Sequence, residues 1–194
     1  MAEIALFPLN AVLFPGGLLP LRIFEPRYVD MIGSCMRADE AFGVVLALGG
    51  SDTDRQIDTV HVGTGARIVD FQRLDDGLLG ILCRGERRFS LQARSQQSDG
   101  LNRAAVEWLP EPARAPVPGE FQPLLPVLRD AMSQLKSIGH LVEPDYDDAS
   151  WVSYRIAELL PLDQQLQQRL LESNDPPARL QSLAPLFDLK SQGT

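Results

Sequence analysis

Residues 66–109 read ARIVDFQRLDDGLLGILCRGERRFSLQARSQQSDGLNRAAVEWL, in which two short turn signals separate stretches of mixed apolar and polar residues. Segments 66–74 and 78–84 flank Asp75-Asp76-Gly77, and segments 87–97 and 101–109 flank Ser98-Asp99-Gly100. In each turn the glycine supplies the positive φ that a tight hairpin needs, and the aspartate before it is at ease there. Two consecutive hairpins predict an antiparallel meander, and with it a β-rich first half.

Upstream, the apolar runs 4–9 (IALFPL), 11–14 (AVLF), 18–24 (LLPLRIF) and 43–48 (GVVLAL) are punctuated by proline and glycine and predict further strands. Proline cannot donate to a ladder, so it belongs at edges, bulges or corners, the pattern of a small closed or partly closed barrel. Gly63-Thr64-Gly65 and Gly85 read as corners of that barrel. One helix interrupts it: after Glu25-Pro26, the segment Arg27 to Arg37 puts Tyr28, Ile32, Cys35 and Met36 on one side, with proline in the first turn.

The Pro-rich stretch 110–118, PEPARAPVP, predicts an extended connector, and beyond it the apolar period changes from strand-like to helical. Phe121, Leu124, Leu125, Leu128, Met132, Leu135 and Ile138 form one stripe, ended by Gly139. Val152, Ile156, Leu159 and Leu160 form a second, stopped by Pro161; Leu162, Leu166 and Leu170 a third, with Asp163 near its start. Asp175-Pro176 then sets an N-cap before Leu180, Leu183, Ala184 and Phe187. The fold class is therefore α+β, with a β-rich domain over 1–112, a connector over 113–120, a compact helical bundle over 121–190 and a tail over 191–194.

The 194 residues carry 18 basic and 26 acidic side chains, a formal charge of −8, and are 44% hydrophobic. Apolar residues recur along almost the whole length, which excludes a disordered or collagen-like chain. Net negative charge repels phosphate backbones and anionic headgroups, and no apolar run reaches the roughly 18 residues needed to span a bilayer. The opening MAEIALFPLNAVLFPGG has no basic residue before its apolar ones, and Pro8, Asn10 and Pro15 interrupt it, so a cytoplasmic protein is expected. Cys35 and Cys83 read as small buried hydrophobes.

Catalytic signatures are missing from the sequence. It contains no Gly-Lys-Ser or Gly-Lys-Thr triplet and no G-x-S-x-G elbow. His61 and His140 have no zinc-ligand spacing, and Lys136 and Lys190 sit in no dry setting that would lower a lysine pKa. Asp52, Asp54 and Asp58 in one loop, and Glu143, Asp145, Asp147 and Asp148 in another, lack the ligand pattern of a calcium loop. No enzyme, metal or cofactor is expected.

Residues 7–28, FPLNAVLFPGGLLPLRIFEPRY, resemble the opening signature of the Lon substrate-binding domain family, the N-terminal domain of Lon protease and its free-standing bacterial relatives. The resemblance continues through FGVVLAL at 42–48, VGTGARI at 62–68 and GERRFSL at 85–91, in the family's order. It implies a PUA-like β-barrel subdomain with one inserted helix, followed by a C-terminal helical bundle, in a free-standing bacterial member without ATPase or peptidase domains. It also implies capture of unfolded or apolar polypeptide segments, without proteolysis, as a recognition or adaptor module beside a separate protease or chaperone.

Strand edges and apolar pockets would hold such a segment at the barrel's edge or at its junction with the bundle. The candidate contacts are Phe14, Leu19, Phe24, Arg27, Tyr28, Arg67, Phe71 and Arg88, most of the aromatic ones also serving as core. Arginines near the rim would favour acidic segments. Two other readings are an RNA-binding PUA-like domain using Arg73, Arg84, Arg87, Arg88 and Arg94, and a structural or dimerising protein, a homo-oligomer. The charge of −8 opposes the first of these.

Overall fold

The computed structural model describes residues 1–48, 59–134 and 142–188. The acidic loop Asp52, Asp54 and Asp58, the side chains of Leu135, Lys136, Ile138 and His140, Lys190 and the tail 191–194 lie outside the described residues. The chain divides into two compact units after Pro110. Among the described residues it is mixed α+β, with six strands and five α-helices.

The first unit holds β1 (Ala2–Leu9), β2 (Leu18–Ile23), α1 (Pro26–Ala38), β3 (Phe42–Leu46), β4 (Val62–Arg73), β5 (Leu79–Gln96) and β6 (Asn102–Trp108). The sheet order is β2-β5-β4-β3-β1-β6, and β6 also pairs with β5, so β5, β4, β3, β1 and β6 form a closed ring of hydrogen-bonded neighbours with β2 beside β5. Strand β5 makes this possible by its 18-residue length. Its first part pairs with β2 from Leu79 to Arg84, its last part with β6 from Phe89 to Gln96, and β4 runs along it from Leu79 to Ser90. Register shifts between Thr64 and Ala66, between Ile68 and Asp70 and between Leu91 and Ala93 supply the bends, since a bulge kinks a strand and raises its twist.

Both expected hairpins form. Gly77 at φ 85° and Gly100 at φ 86° close them, each amide donating to the carbonyl three residues back, at 2.8 Å to Leu74 and 2.9 Å to Gln97. Segments 78–84 and 87–97, expected as separate strands, are one strand running through Gly85. Gly63-Thr64-Gly65 lies inside β4 at the register shift between Thr64 and Ala66, one of its bends, and a Cβ on Gly63 would come within 2.5 Å of the Val44 carbonyl oxygen. Run 11–14 is not a strand. Phe14-Pro15-Gly16-Gly17 is a turn, closed by the Gly17 amide donating to the Phe14 carbonyl at 3.0 Å, with Gly16 at φ 72°. This turn is clamped to β5: Gly16 N–H donates to the Gly85 carbonyl and Gly85 N–H to the Gly17 carbonyl, both at 2.8 Å. Thr64 Oγ1 donates to the Leu13 carbonyl at 2.6 Å and ties the same segment to β4.

Strand β1 is buried on both faces. Its period of two sends Ala5 and Phe7 into a cluster with Ile23, Tyr28, Met31, Ile32, Phe42 and Cys83, and sends Ile4 and Leu6 into another with Val45, Phe89, Leu91 and Val106. On α1, Tyr28, Met31 and Ile32 are buried and Cys35 is half-buried, while Met36 is exposed. At about 100° per residue, Cys35 returns to within about 20° of Tyr28 whereas Met36 overshoots by about 80°. Two aromatic residues expected mainly in the core are also exposed, Phe24 at 69% and Phe71 at 57%. Ile23 takes the inward position beside Phe24, and Phe71 lies in the last four residues of β4, all exposed at the turn end of the hairpin.

In the second unit a short 3₁₀ turn (Gly119–Leu124) precedes α2 (Leu125–Gln134), followed by α3 (Ala149–Leu159), α4 (Gln164–Glu172) and α5 (Pro176–Asp188). Pro123 and Pro126 each lack an amide donor, which delays the α-helix expected from Phe121 onward. Aspartates start the other helices: Asp148 accepts from Ser150 and Trp151, Asp163 from Leu166 and Asp175 from Ala178. Helix α3 packs against α4 and α5, with Val152, Ile156, Leu170, Leu171, Leu180 and Leu183 buried.

Two buried arginines are held among aromatic rings. The Arg179 guanidinium lies 3.7 Å over the Tyr154 ring, and Arg155 pairs with Glu158 at 2.9 Å and lies 6.0 Å from the Trp151 ring. Burial pushes the Glu158 carboxyl up to about 7 against the pull of Arg155, tempered by the 30% of that side chain still open to solvent.

Replacing Gly85 by alanine would put a Cβ 2.1 Å from the Phe14 carbonyl oxygen, so the turn must leave β5. The expected cost is about 2–3 kcal/mol in denaturant unfolding, whereas Gly119→Ala, with nothing within 4 Å, stays within about 0.5 kcal/mol of the parent. A second expectation concerns pH. The folded pKa of Glu158 lies above the ordinary 4.5, so its contribution is complete below that value and is lost as pH rises through about 7. Stability measured across this window should fall for the parent relative to Glu158→Gln, which mimics the protonated form at every pH.

Candidate functional site

The first unit carries a cleft of about 650 Å³. One wall is the flank of α1 presenting Arg27, Asp30, Ser34 and Ala38, a stripe at spacings of three and four beside the helix's core-facing stripe. The opposite side is built from the first residues of β1, from Arg67 on β4, from Glu86 and Arg87 on β5, and from the β5–β6 turn with Arg103 and Trp108 on β6. Met31, Cys35, Ala5 and Leu101 supply apolar lining.

Ion pairs fix the walls. Arg27 Nη1 donates to the Gly100 carbonyl at 2.9 Å and Nη2 pairs with Glu25 at 2.7 Å, so the start of α1 is stapled to the β5–β6 turn. The same guanidinium lies 4.8 Å over the Tyr28 ring. Arg67 Nη1 donates to the Asp39 carbonyl at 2.8 Å and to its carboxylate at 2.6 Å, while Nε donates to Glu86. Asp39 caps α1 in the left-handed region at φ 52°, which turns its carbonyl and side chain toward the same arginine. Glu86 above all, and Asp39 with it, holds the Arg67 guanidinium above its ordinary pKa. Arg103 pairs with Glu3 at 2.7 Å, and Arg87 lies 5.7 Å from the Trp108 ring. Burial and then Glu40 push the Cys35 thiol up, opposed by Arg103, which favours the neutral thiol over the thiolate.

A smaller hollow of about 180 Å³ adjoins the cleft. Met36, Ile68, Val69 and Phe71 line it, and Cys35, Asp39, Glu40 and Arg67 line both cavities. The Arg67–Asp39 pair therefore borders a mixed-charge cleft and a more apolar hollow. Among the described residues no group of three or more His, Cys, Asp or Glu side chains is placed to hold a metal ion.

Of the eight candidate residues, Arg27 and Arg67 line the cleft, and Arg67 and Phe71 line the hollow. Phe24 is exposed but lines neither cavity, and Leu19 is half-buried against the core. Phe14, Tyr28 and Arg88 are buried and present no surface to a ligand. The arginine stripe is broken for the same reason, because Arg88 points inward from β5. Sequence reasoning missed Asp39, Glu86 and Arg103, which become neighbours only through the pairing of distant strands. The polar stripe of α1 carried a readable signal in the spacing of Arg27, Asp30 and Ser34.

A family model described as the ATP-dependent protease La (LON) substrate-binding domain matches residues 3–187. A Lon N-terminal domain protein of Xanthomonas campestris, seen in a crystal structure, is 34% identical and superposes with a TM-score of 0.76, covering 95% of this chain and 98% of its own. The Lon protease of Cytophaga hutchinsonii is 23% identical over 187 residues, 92% of this chain and 23% of that protein. Protein cereblon of Gallus gallus is 30% identical over 103 residues, 52% of this chain and 22% of that one. The chain thus spans between a tenth and a quarter of the curated Lon proteases it matches first. A family match over nearly the whole length and a like fold at 34% identity lead to one conclusion: this chain belongs to the Lon substrate-binding domain family.

Proposed function

We propose that this chain is a non-enzymatic polypeptide-recognition module, which takes unfolded or apolar segments into the cleft beside α1 and works in the cytoplasm beside a separate protease or chaperone. The observation that carries the reading is the coincidence of a substrate-binding family match over residues 3–187 with a cleft of about 650 Å³ whose walls are fixed by ion pairs. A cleft of that volume has room for a few side chains of an extended segment, and pre-set walls lower the ordering cost of binding. The ring of strand pairings supports a PUA-like barrel for the first unit, and α2 to α5 support a helical bundle for the second. Arg27, Arg67 and Phe71 are the proposed contacts, with Phe24 extending the apolar surface. Phe14, Leu19, Tyr28 and Arg88 act from the interior by holding the strands and α1 that carry those contacts.

The test compares binding of one model protein in its native form and in a permanently unfolded, reduced and alkylated form, at low and high salt. Binding of the unfolded form alone is expected. Ser34 is exposed on the α1 wall, so Ser34→Trp fills the cleft without disturbing the core. It should weaken binding about tenfold at unchanged melting temperature. Equal affinity for the native form, or an unchanged affinity in Ser34→Trp, would remove the cleft from the reading.

A further inference from the structure

We propose that the cleft selects segments in which lysine or arginine side chains flank apolar residues, which deepens the recognition role above and rests on it. Four guanidinium groups line the cleft, and three are already engaged: Arg27 with Glu25, Arg67 with Asp39 and Glu86, and Arg103 with Glu3. The fourth, Arg87, lies against the Trp108 ring. An acidic segment would therefore have to break an existing pair to reach three of the four cations, losing about what it gained, and only Arg87 could receive it without doing so.

The carboxylates are in the opposite condition. Asp30, Glu40 and Asp99 line the same cleft and have no ion pair among the described residues; Asp99 Oδ1 accepts only the Leu101 amide, at 2.9 Å. Counting every lining side chain gives six carboxylates, Glu3, Asp30, Asp39, Glu40, Glu86 and Asp99, against four arginines. The lining thus carries more carboxylates than guanidinium groups, and Glu40 acts within reach of its Cys35 lining, where it opposes ionisation of the thiol more than Arg103 promotes it. Asp30 stands on the α1 wall and Glu40 just beyond that helix, so a cation entering from solvent meets them beside the apolar surface of Met31, Cys35 and Leu101. A lysine stem can lie on that surface while its ammonium reaches a carboxylate, the division of labour that long basic side chains favour. The occupant is thus an extended cationic-apolar segment. The rim arginines, which the sequence suggested as receptors for acidic segments, serve instead to hold the walls.

The experiment uses the full chain and three fluorescently labelled peptides with the same apolar residues, differing only in two positions occupied by lysine, glutamine or glutamate. Binding is read by anisotropy at low and high salt. The lysine peptide is expected to bind about tenfold more tightly than the glutamate peptide at low salt, with the difference shrinking as salt rises. In the double variant Asp30→Asn, Glu40→Gln the preference should fall toward parity while the glutamine peptide keeps its affinity; both residues are exposed, so folding is retained. If the glutamine peptide binds but the glutamate peptide binds as tightly as the lysine one, the charge preference is wrong and the recognition role stands. A preference that survives the double variant overturns the assignment to these carboxylates. Binding of none of the three peptides overturns both readings.

Discussion

At Gly85 two backbones approach so closely that no side chain can stand between them: an added Cβ would sit 2.1 Å from the Phe14 carbonyl oxygen. This contact lets the turn Phe14–Gly17 exchange two hydrogen bonds with the middle of β5, just where that strand finishes with β2 and prepares to join β6. Without it β5 would have an unpaired backbone segment between its two partners, and buried amides without partners are costly. The ring of strands therefore closes through a place where the chain has glycine for steric reasons, at ordinary φ, while Gly16 nearby needs its positive φ of 72°.

The cleft depends on the same closure. Its far wall consists of β5, β6 and the turn between them, and its near wall is α1, which follows β2. Arg27 joins these walls by reaching the Gly100 carbonyl, and Arg67 joins β4 to β5 through Glu86 and to the end of α1 through Asp39. Such partly exposed pairs contribute little to global stability, because solvent and salt screen them. Their consequence is geometric: bidentate and multiply bonded guanidinium groups hold surface segments in one arrangement, so the cleft exists before any ligand arrives.

The hairpins were legible because their turn residues act locally, glycine at positive φ after aspartate, and the helix starts at Asp163 and Asp175 were legible for the same reason. Run 11–14 was not, since Leu13 and Phe14 are as buried as strand residues, while the run leads into the local turn Phe14–Gly17, whose clamping to Gly85 no nearby residue announces. Glycines at 63, 65 and 85 carried the right signal of close approach, but composition alone does not distinguish a corner from a tightly packed strand interior. At the candidate site, the Arg27–Glu25 pair could be anticipated from proximity in sequence. The Arg67–Asp39–Glu86 cluster could not, because its members lie on a strand, a helix cap and a second strand and meet only through register.

On the proposed role, recognition of unfolded segments would impose two opposed demands, tolerance of many sequences and resistance to collapse of an empty apolar surface onto itself. The distribution of charge in the cleft would answer both. Paired arginines hold its walls in one arrangement, and the lining mixes Met31, Cys35 and Leu101 with carboxylates. On the proposed reading, the carboxylates without an ion pair among the described residues would add only weak, screened attraction, biasing encounter toward cationic segments without demanding one geometry. A site built from deeply buried ion pairs to its ligand would bind one sequence tightly and others hardly at all, because every mismatch would strand a buried charge. Placing the fixed pairs within the protein and leaving the ligand only solvent-exposed carboxylates and apolar lining avoids that penalty, and so joins a rigid scaffold to a permissive surface.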